Sequence, residues 1–313
     1  MPSLNSYNKD LSSFWKGKIL WDKPMSQYST FKVGGPAEAI ISVRNIEDLA
    51  RLIHWLKKNN VNWWIVGRGS NILVPDQGLA GVTIVLEGEF SSIEKLESEG
   101  SQKENSTLIR AGAGCLLSKV IHYCTKNSLS GFEFAFGIPG SVGGAVIMNA
   151  GAWGHEIENL LDSATLMDNN GEVSTEQGRN LGFTYRGWGM KPNTVLLYAT
   201  FTLTTSSKEE IKAACRKYQE LRKNNQPLIE PSAGSFFKNP PGLSAGRLID
   251  EAGLKGHSIG GAKISEQHAN FIVNTGSASA TDILNLMRLV QNTVYKQFDI
   301  KLEPEVHILG DVG

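Results

Sequence analysis

The sequence has no excess of charge of either sign: lysine plus arginine and aspartate plus glutamate number 31 each in 313 residues. A chain so balanced has no electrostatic footprint for nucleic acid or an anionic membrane, so any anion it binds must be caught locally. Long apolar runs are missing too. None approaches the length of a membrane span, and the opening segment MPSLNSYNKDLSSFWKGK is too polar for a signal peptide. A cytosolic protein without nucleic-acid or membrane partners is therefore expected. Cysteine is scarce: Cys115, Cys124 and Cys215 are odd in number, far apart and in no C-x-x-C arrangement, which argues against a disulfide framework and against zinc. Cys124 and Cys215 fall in helix-like patterns and are expected to be packed. The six histidines form no ligand-spaced pair, and His54, beside Trp55 in an amphipathic pattern, reads as a surface residue. No catalytic metal is expected.

Glycine, by contrast, is concentrated in two places. The segment Gly131 to Gly154, GFEFAFGIPGSVGGAVIMNAGAWG, sets glycines among Phe, Val and Met with almost no charge. Neither a regular helix nor a surface linker favours that composition. Glycine lacks Cβ, reaches positive φ and bares its N–H to a bound group, and Pro139 stiffens one turn. Tight turns with buried apolar residues are the plainer reading, but such clusters are usually polar. The second place lies within WWIVGRGSNILVPDQGLAGVTIVL, Trp63 to Leu86. A β-prone run to Val66 is interrupted by Gly67-Arg68-Gly69-Ser70-Asn71, and strand character resumes at Val82 to Leu86. The sixth position of G-x-G-x-x-G is Ile72 and no helix pattern follows, so this is not the Rossmann fingerprint; nor does the chain contain G-x-x-x-x-G-K-[ST]. Successive N–H groups in a glycine-rich turn do form an anion nest, to which Ser70 and Asn71 add donors. A pyrophosphate is the natural guest.

With 41% hydrophobic and 20% charged residues, the chain is long enough for two or three globular domains. After a polar N-terminal arm, Ile40 to Val43 reads as a strand, then Ile46 to Asn59 as a helix capped by Asn45, with Leu49, Ile53 and Leu56 on one face. Ser91 to Ser106 reads as an exposed connection. A second unit follows: a strand at Leu108 to Ala111, a helix from Leu116 to Asn127, the long glycine loop, a hairpin over Ala164 to Thr175 turning at Asn169-Asn170-Gly171, and a strand from Val195 to Thr204. Ser207-x-x-Glu210 is a capping box opening a helix through Asn224, in which the last domain boundary falls. Beyond Gln226 come a short helix over Ala245 to Ala252 stopped by Gly253, strands near Lys263 and Phe271, a helix from Asp282 to Phe298, and a final strand, Leu302 to Leu309, returning to the first unit.

Several motifs in this order resemble the UDP-N-acetylenolpyruvoylglucosamine reductase family over nearly the whole chain. They are TFKVGGPAE (Thr30 to Glu38), VGRGSNILV (Val66 to Val74), GIPGSVGGAV and MNAGAWGHEI (Gly137 to Ile157), Tyr185-Arg186, Gln226-Pro227, PSAGSFFKNP (Pro231 to Pro240), HANFIVN (His268 to Asn274) and LEPEV (Leu302 to Val306). The first half is also similar to flavin-binding domains of the vanillyl-alcohol oxidase type. The resemblance implies an α+β fold with a two-part FAD-binding module of that type and a C-terminal α+β substrate-binding domain. It divides the chain at 1–88, joined by strand 303–313, 89–212, and 213–302. It implies non-covalent FAD against Gly67, Arg68, Gly69, Ser70, Asn71, Gly137, Ile138, Pro139, Gly140, Ser141, Gly143, Gly144, Ala145, Asn149 and Gly151. NADPH would be the co-substrate, a UDP-sugar the substrate, and the chain a monomer.

Reducing an enol ether needs a hydride on one alkene carbon and a proton on the next, while enolate character develops beside a carboxylate. The flavin supplies only the hydride, so the protein must supply an acid and groups that stabilise the enolate. The resemblance implies Ser235 as that acid; a serine hydroxyl is weak and would need a neighbour such as Lys238 or a water relay. It implies Arg186 on the substrate carboxylate or enolate, Glu305 as a stabiliser of the enol, and Lys223, Asn239 and Gln267 on the UDP moiety. On spacing alone Ser235 is a turn residue, Arg186 a surface arginine and Glu305 a solvated carboxylate.

The chain departs from the family where serine is usual two residues after the arginine and has Trp188 instead, and where arginine is common after the final glutamate and has His307. After KNPPGL it enters the short helix directly, like the shorter form of the family. Three rival readings remain. Gly256-His257-Ser258-Ile259-Gly260 matches G-x-S-x-G, but the strand-turn-helix context of a nucleophile elbow is missing. A flavin oxidase would keep both glycine loops yet react rapidly with oxygen. A UDP-sugar binder would not purify with flavin.

Overall fold

A computed structural model describes residues 7–97, 105–189 and 191–310. The first unit contains α1 (Asn8–Phe14), β1 (Ile19–Pro24), β2 (Pro36–Val43), α2 (Ile46–Lys58), β3 (Trp63–Ile65), β4 (Ile72–Leu73) and β5 (Leu79–Leu86). Four strands form a sheet in the order β1-β2-β5-β3, with β1 antiparallel to β2 and the other neighbours parallel. Both faces of β2 are covered, as its near-continuous apolar run requires. Its Ala39, Ile41 and Val43 join Leu49, Leu52, Ile53 and Leu56 of α2, while Ile40 packs with Met25, Val66 and Val74. The expected cap of α2 is present: Asn45 Oδ1 accepts the Asp48 N–H at 2.8 Å. The N-terminal arm is more ordered than its polarity suggested. Leu11 and Trp15 bury, and Phe14 stacks on Trp55 with ring centroids 5.7 Å apart, so tertiary packing holds a helix too short to stand alone.

The second unit runs through β6 (Ile93–Lys95), β7 (Ser106–Gly112), α3 (Leu117–Lys126), β8 (Leu129–Ser130), α4 (Val142–Ile147), β9 (Gly151–Ala152), β10 (His155–Glu156), β11 (Leu161–Met167), β12 (Val173–Gln177) and β13 (Val195–Thr205). Its antiparallel sheet has the order β12-β11-β13-β7-β6, with β8 also on β13. Two expectations need correction. The connection after Ser91 is not wholly irregular, because Ile93–Lys95 pairs with β7; three residues with one apolar side chain give no periodic signal, and residues 98–104 lie outside the described ones. The long glycine segment contains a helix, α4, which Ser141 caps by accepting the Gly144 N–H. Its two glycines disfavour helix by about 1 kcal/mol each relative to alanine, but Val142, Ala145 and Val146 are buried and their packing prevails. A tight hairpin, β9–β10, follows, turning at Trp153 and Gly154, both at positive φ.

The last unit comprises α5 (Lys208–Asn225), α6 (Ala245–Glu251), β14 (Ser258–Ile259), β15 (Ala262–Ile264), β16 (Ile272–Asn274), α7 (Ala280–Phe298) and β17 (His307–Ile308). The Ser207/Glu210 capping box opens α5 as expected. Ile211 and Cys215 of this helix sit in the core that the first two units share, so its N-terminal half belongs to them in packing. The sheet β14-β15-β16 and helix α7 enclose a separate core that takes in Phe31, Val33 and Leu73 from the first unit. The final strand is shorter than expected: β17 pairs in parallel with β4, and the segment before it makes only an isolated antiparallel bridge, Pro304 to Phe237. All three cysteines are free and buried, and burial pushes their thiols up, to about 12 for Cys124 and about 11 for Cys215.

Candidate active site

The two glycine loops, seventy residues apart in sequence, meet. A Cβ on Gly67 would overlap Ser141 Oγ, and one on Gly140 would lie 3.4 Å from Ser70 Oγ. Gly69, at φ 62°, runs so close under Tyr28 that any side chain would collide with its carbonyl. Gly143 packs on Ala113, whose carbonyl accepts its N–H at 2.8 Å, and a Cβ there would lie 3.0 Å from that carbonyl. Among the described residues, the backbone N–H groups of Gly67 through Asn71 and of Gly137, Gly140 and Ser141 have no acceptor within the protein. Two such runs of unused donors brought together suit a pyrophosphate, and the glycines are what let the loops pack this closely on each other and on Tyr28. The residues present therefore fit FAD.

Beside this cradle Arg186 sits at φ 59° in the turn bridged by Thr184 and Gly187. Its guanidinium meets two carboxylates: Nε lies 3.1 Å from Glu305 Oε1, and Nη1 lies 3.4 Å from Glu156 Oε1. Nη2 donates to the Gly151 carbonyl at 3.2 Å, and the group lies 4.8 Å from the Tyr185 ring centroid. All three charged side chains are largely shielded from solvent. Burial pushes Glu305 upward against the opposing pull of Arg186 and Lys238, and pushes Glu156 upward against Arg186. A carboxyl so poised beside a guanidinium can stabilise a developing enolate or hold a proton.

Glu305 is brought here by backbone pairing: its N–H donates to Phe236 O at 2.8 Å, and the Lys238 N–H donates to Glu303 O at 2.8 Å. Ser235, next to Phe236, is thereby carried to the same strand crossing; it is half-buried, and its hydroxyl has no hydrogen-bond partner among the described residues. Lys238 couples electrostatically to Glu305 and His307. His307 reaches Met148 Sδ with Nε2 at 2.7 Å, and desolvation, then the charge of Lys238, holds its imidazole below the ordinary value. Trp188, where the family resemblance implied a serine, packs against the large core. Of the residues expected on the UDP moiety, Gln267 donates to the carbonyls of Lys223 and Asn224 at 3.2 and 3.3 Å, so it and Lys223 adjoin at the end of α5. Asn239 accepts the Ala245 N–H at the start of α6, whose Gly246 lies against His268. Ser258 is exposed on β14, antiparallel to β15, which is no nucleophile elbow.

Three residues that sequence reasoning did not single out shape the site. Arg222 is buried and donates to the carbonyls of Phe136 at 2.8 Å and Phe134 at 3.4 Å, pinning the start of the glycine loop to α5. Thr30 donates to Ser232 O at 2.7 Å, while its N–H reaches Gly69 O, joining the first glycine loop to the segment before Ser235. Glu156, inside a quoted motif but given no role, holds Arg186. Asn149, expected on the cofactor, is fully buried, with its side chain committed to Glu156, Thr184 and Glu158 and its N–H to Val146 O, so the structure gives it a bracing place behind the site rather than a free surface.

Family models match two parts of the chain: an FAD binding domain at residues 37–176, and the C-terminal domain of UDP-N-acetylenolpyruvoylglucosamine reductase at residues 226–309. The reductase of Syntrophus aciditrophicus is 40% identical over 315 aligned positions, covering 100% of this chain and 99% of that one. That of Agathobacter rectalis is 43% identical, covering 94% of each. Among solved structures, the reductase from Thermus caldophilus matches with a TM-score of 0.78 at 36% identity, covering 94% of this chain and 98% of that one. With an FAD-binding module in its first half, a reductase-type C-terminal domain in its second and full-length identity at this level, the chain belongs to the UDP-N-acetylenolpyruvoylglucosamine reductase family.

Proposed function

We propose that Arg186, Glu305 and Ser235 carry the chemistry of this family, that the two glycine loops hold FAD, and that Lys223, Asn239 and Gln267 receive the UDP moiety. The chain is an FAD-dependent oxidoreductase that uses NADPH to reduce the enolpyruvyl group of UDP-N-acetylglucosamine enolpyruvate, giving UDP-N-acetylmuramate for peptidoglycan synthesis. Bound FAD supplies the hydride carrier. The chain's own residues supply the rest. Arg186 offers a permanent charge to the substrate carboxylate as enolate character develops, Glu305 shares that guanidinium and stabilises the enol, and Ser235 gives the proton. Residues 1–88 with 303–313 and residues 89–212 form the cofactor module in this reading, and 213–302 the substrate domain. The chain works as a monomer in the cytoplasm, where NADPH and nucleotide sugars are made, and serves cell shape and division through the wall.

The observation that carries this reading is the meeting of Arg186 with Glu305 beside the Phe236–Glu305 pairing, which draws residues from three distant motifs to the edge of the cradle. The test is anaerobic. NADPH should bleach the flavin of the purified protein, and UDP-N-acetylglucosamine enolpyruvate should then restore its absorbance stoichiometrically. Ser235→Ala should bleach normally and recover on the order of 10²–10⁴-fold more slowly. Loss of both steps together would overturn the role of Ser235, and a reduced flavin indifferent to the substrate but quickly reoxidised by air would favour an oxidase.

A further inference from the structure

We propose that Glu156 is a positioning residue for Arg186, held in place by Asn149 and turning the Nε edge of the guanidinium toward Glu305. The inference rests on the role given to Arg186 above. Glu156 and Gly151 are opposite partners in the β9–β10 hairpin, and from that one register pair come two acceptors for one guanidinium: Glu156 Oε1 at 3.4 Å from Nη1, and Gly151 O at 3.2 Å from Nη2. A planar, five-donor fork held on its two terminal nitrogens has its remaining edge fixed in direction, and that edge faces Glu305 at 3.1 Å. The turn alone does not secure this. Arg186 stands at φ 59°, where residues with a Cβ are held only by their surroundings.

Those surroundings converge on Glu156. Asn149, with no surface exposed and φ 41°, donates Nδ2 to Glu156 Oε2 at 3.1 Å and to the Thr184 carbonyl at 3.3 Å, two residues before Arg186. Its Oδ1 accepts the Glu158 N–H at 3.0 Å, and the Glu156 N–H in turn donates to Asn159 Oδ1 at 3.1 Å. A single buried amide thus ties the carboxylate that holds the guanidinium to the turn that carries it. Glu156 is fixed on both its main chain and its side chain by groups other than arginine, unlike a surface carboxylate that has found a cation by chance.

A misplaced guanidinium should slow the step that needs it and leave cofactor binding alone. Glu156→Ala should retain a full complement of FAD but lower the rate of flavin recovery with UDP-N-acetylglucosamine enolpyruvate by about 10²-fold. Glu156→Gln, which keeps the shape and one acceptor oxygen for Arg186 but turns an N–H toward the Asn149 donor, should recover only part of that loss. On an Arg186→Ala background, Glu156→Ala should cost nothing further, because a residue that acts through Arg186 has nothing left to position. If Arg186→Ala itself recovers at the wild-type rate, the assignment of Arg186 fails. If Arg186→Ala is slow but Glu156→Ala is as fast as wild type, strips FAD, or multiplies the Arg186→Ala defect, the positioning role alone is overturned.

Discussion

Arg222 carries its charge into the protein interior, and among the described residues no carboxylate meets it. Its partners are the carbonyls of Phe134 and Phe136 and the Gln226 side chain, and burial holds its guanidinium below the ordinary value. Arg222→Met would leave two carbonyls without their donor at the point where the chain enters the glycine loop. We expect a loss of about 2–5 kcal/mol in urea unfolding, with weaker FAD retention. Arg222→Lys should recover only part of it, since a single ammonium cannot serve the same fork. At this scale the sequence was legible where a motif named a residue and illegible where only the fold gives it partners. Lys223 was singled out for its family position, whereas Arg222, one step along the same helix, carries no local signal of its buried role. Glu156 was hidden for the same reason, its arginine lying thirty residues away in an unrelated turn.

The N-terminus of α7 shows how an element's boundary becomes a joint between units. Ser279 Oγ accepts the Asp282 N–H at 3.0 Å, but the first two free amides go elsewhere: Ala280 N–H to Asp76 Oδ1 at 2.7 Å, and Thr281 N–H to Asp76 Oδ2 at 2.9 Å, where the Thr281 hydroxyl also donates. Asp76 follows β4 in the first unit, so the helix of the last unit is capped from another part of the chain. Partial burial works to raise the Asp76 carboxyl, but the bonds from Thr281 and Ala280 outweigh it and hold it below the usual value. A carboxylate depressed in the folded state contributes stability above the unfolded-state pKa, near 3.9, and loses it as pH falls through the folded value. Asp76→Ala should therefore cost about 1–2 kcal/mol at pH 7, and its urea midpoint should converge with that of wild type only as pH falls below the ordinary carboxylate range. Helices with their own caps, α2 and α5, were readable to within a residue or two, and the missed α1 and α4 are short helices held by packing. A pattern of seven residues does not announce a helix when its stability is borrowed.

At the scale of the molecule, order along the chain was legible and meeting in space was not. The succession of motifs pointed to the family and the cofactor, and glycine content pointed to the cradle. Nothing in the sequence showed that Gly67 would face Ser141, that Phe31 and Leu73 would enter the core of the last unit, or that Asn274 would donate to Phe31 O at 3.0 Å. These are long-range contacts whose partners share no local signal. Together with Thr30–Ser232 and β4–β17, they bind the first glycine loop to the last unit on both sides, so cofactor and substrate regions should unfold together; two separated transitions in urea would contradict this.

The three buried thiols leave the chain chemically quiet on its outside. At neutral pH almost none of Cys124 or Cys215 is thiolate, and the thiolate is what a maleimide attacks, so the folded protein should stay unlabelled while the denatured chain takes up three equivalents. A cysteine placed at exposed Ser277 would then be the one reactive position, and a dye there would report on the substrate region without any native cysteine having to be removed.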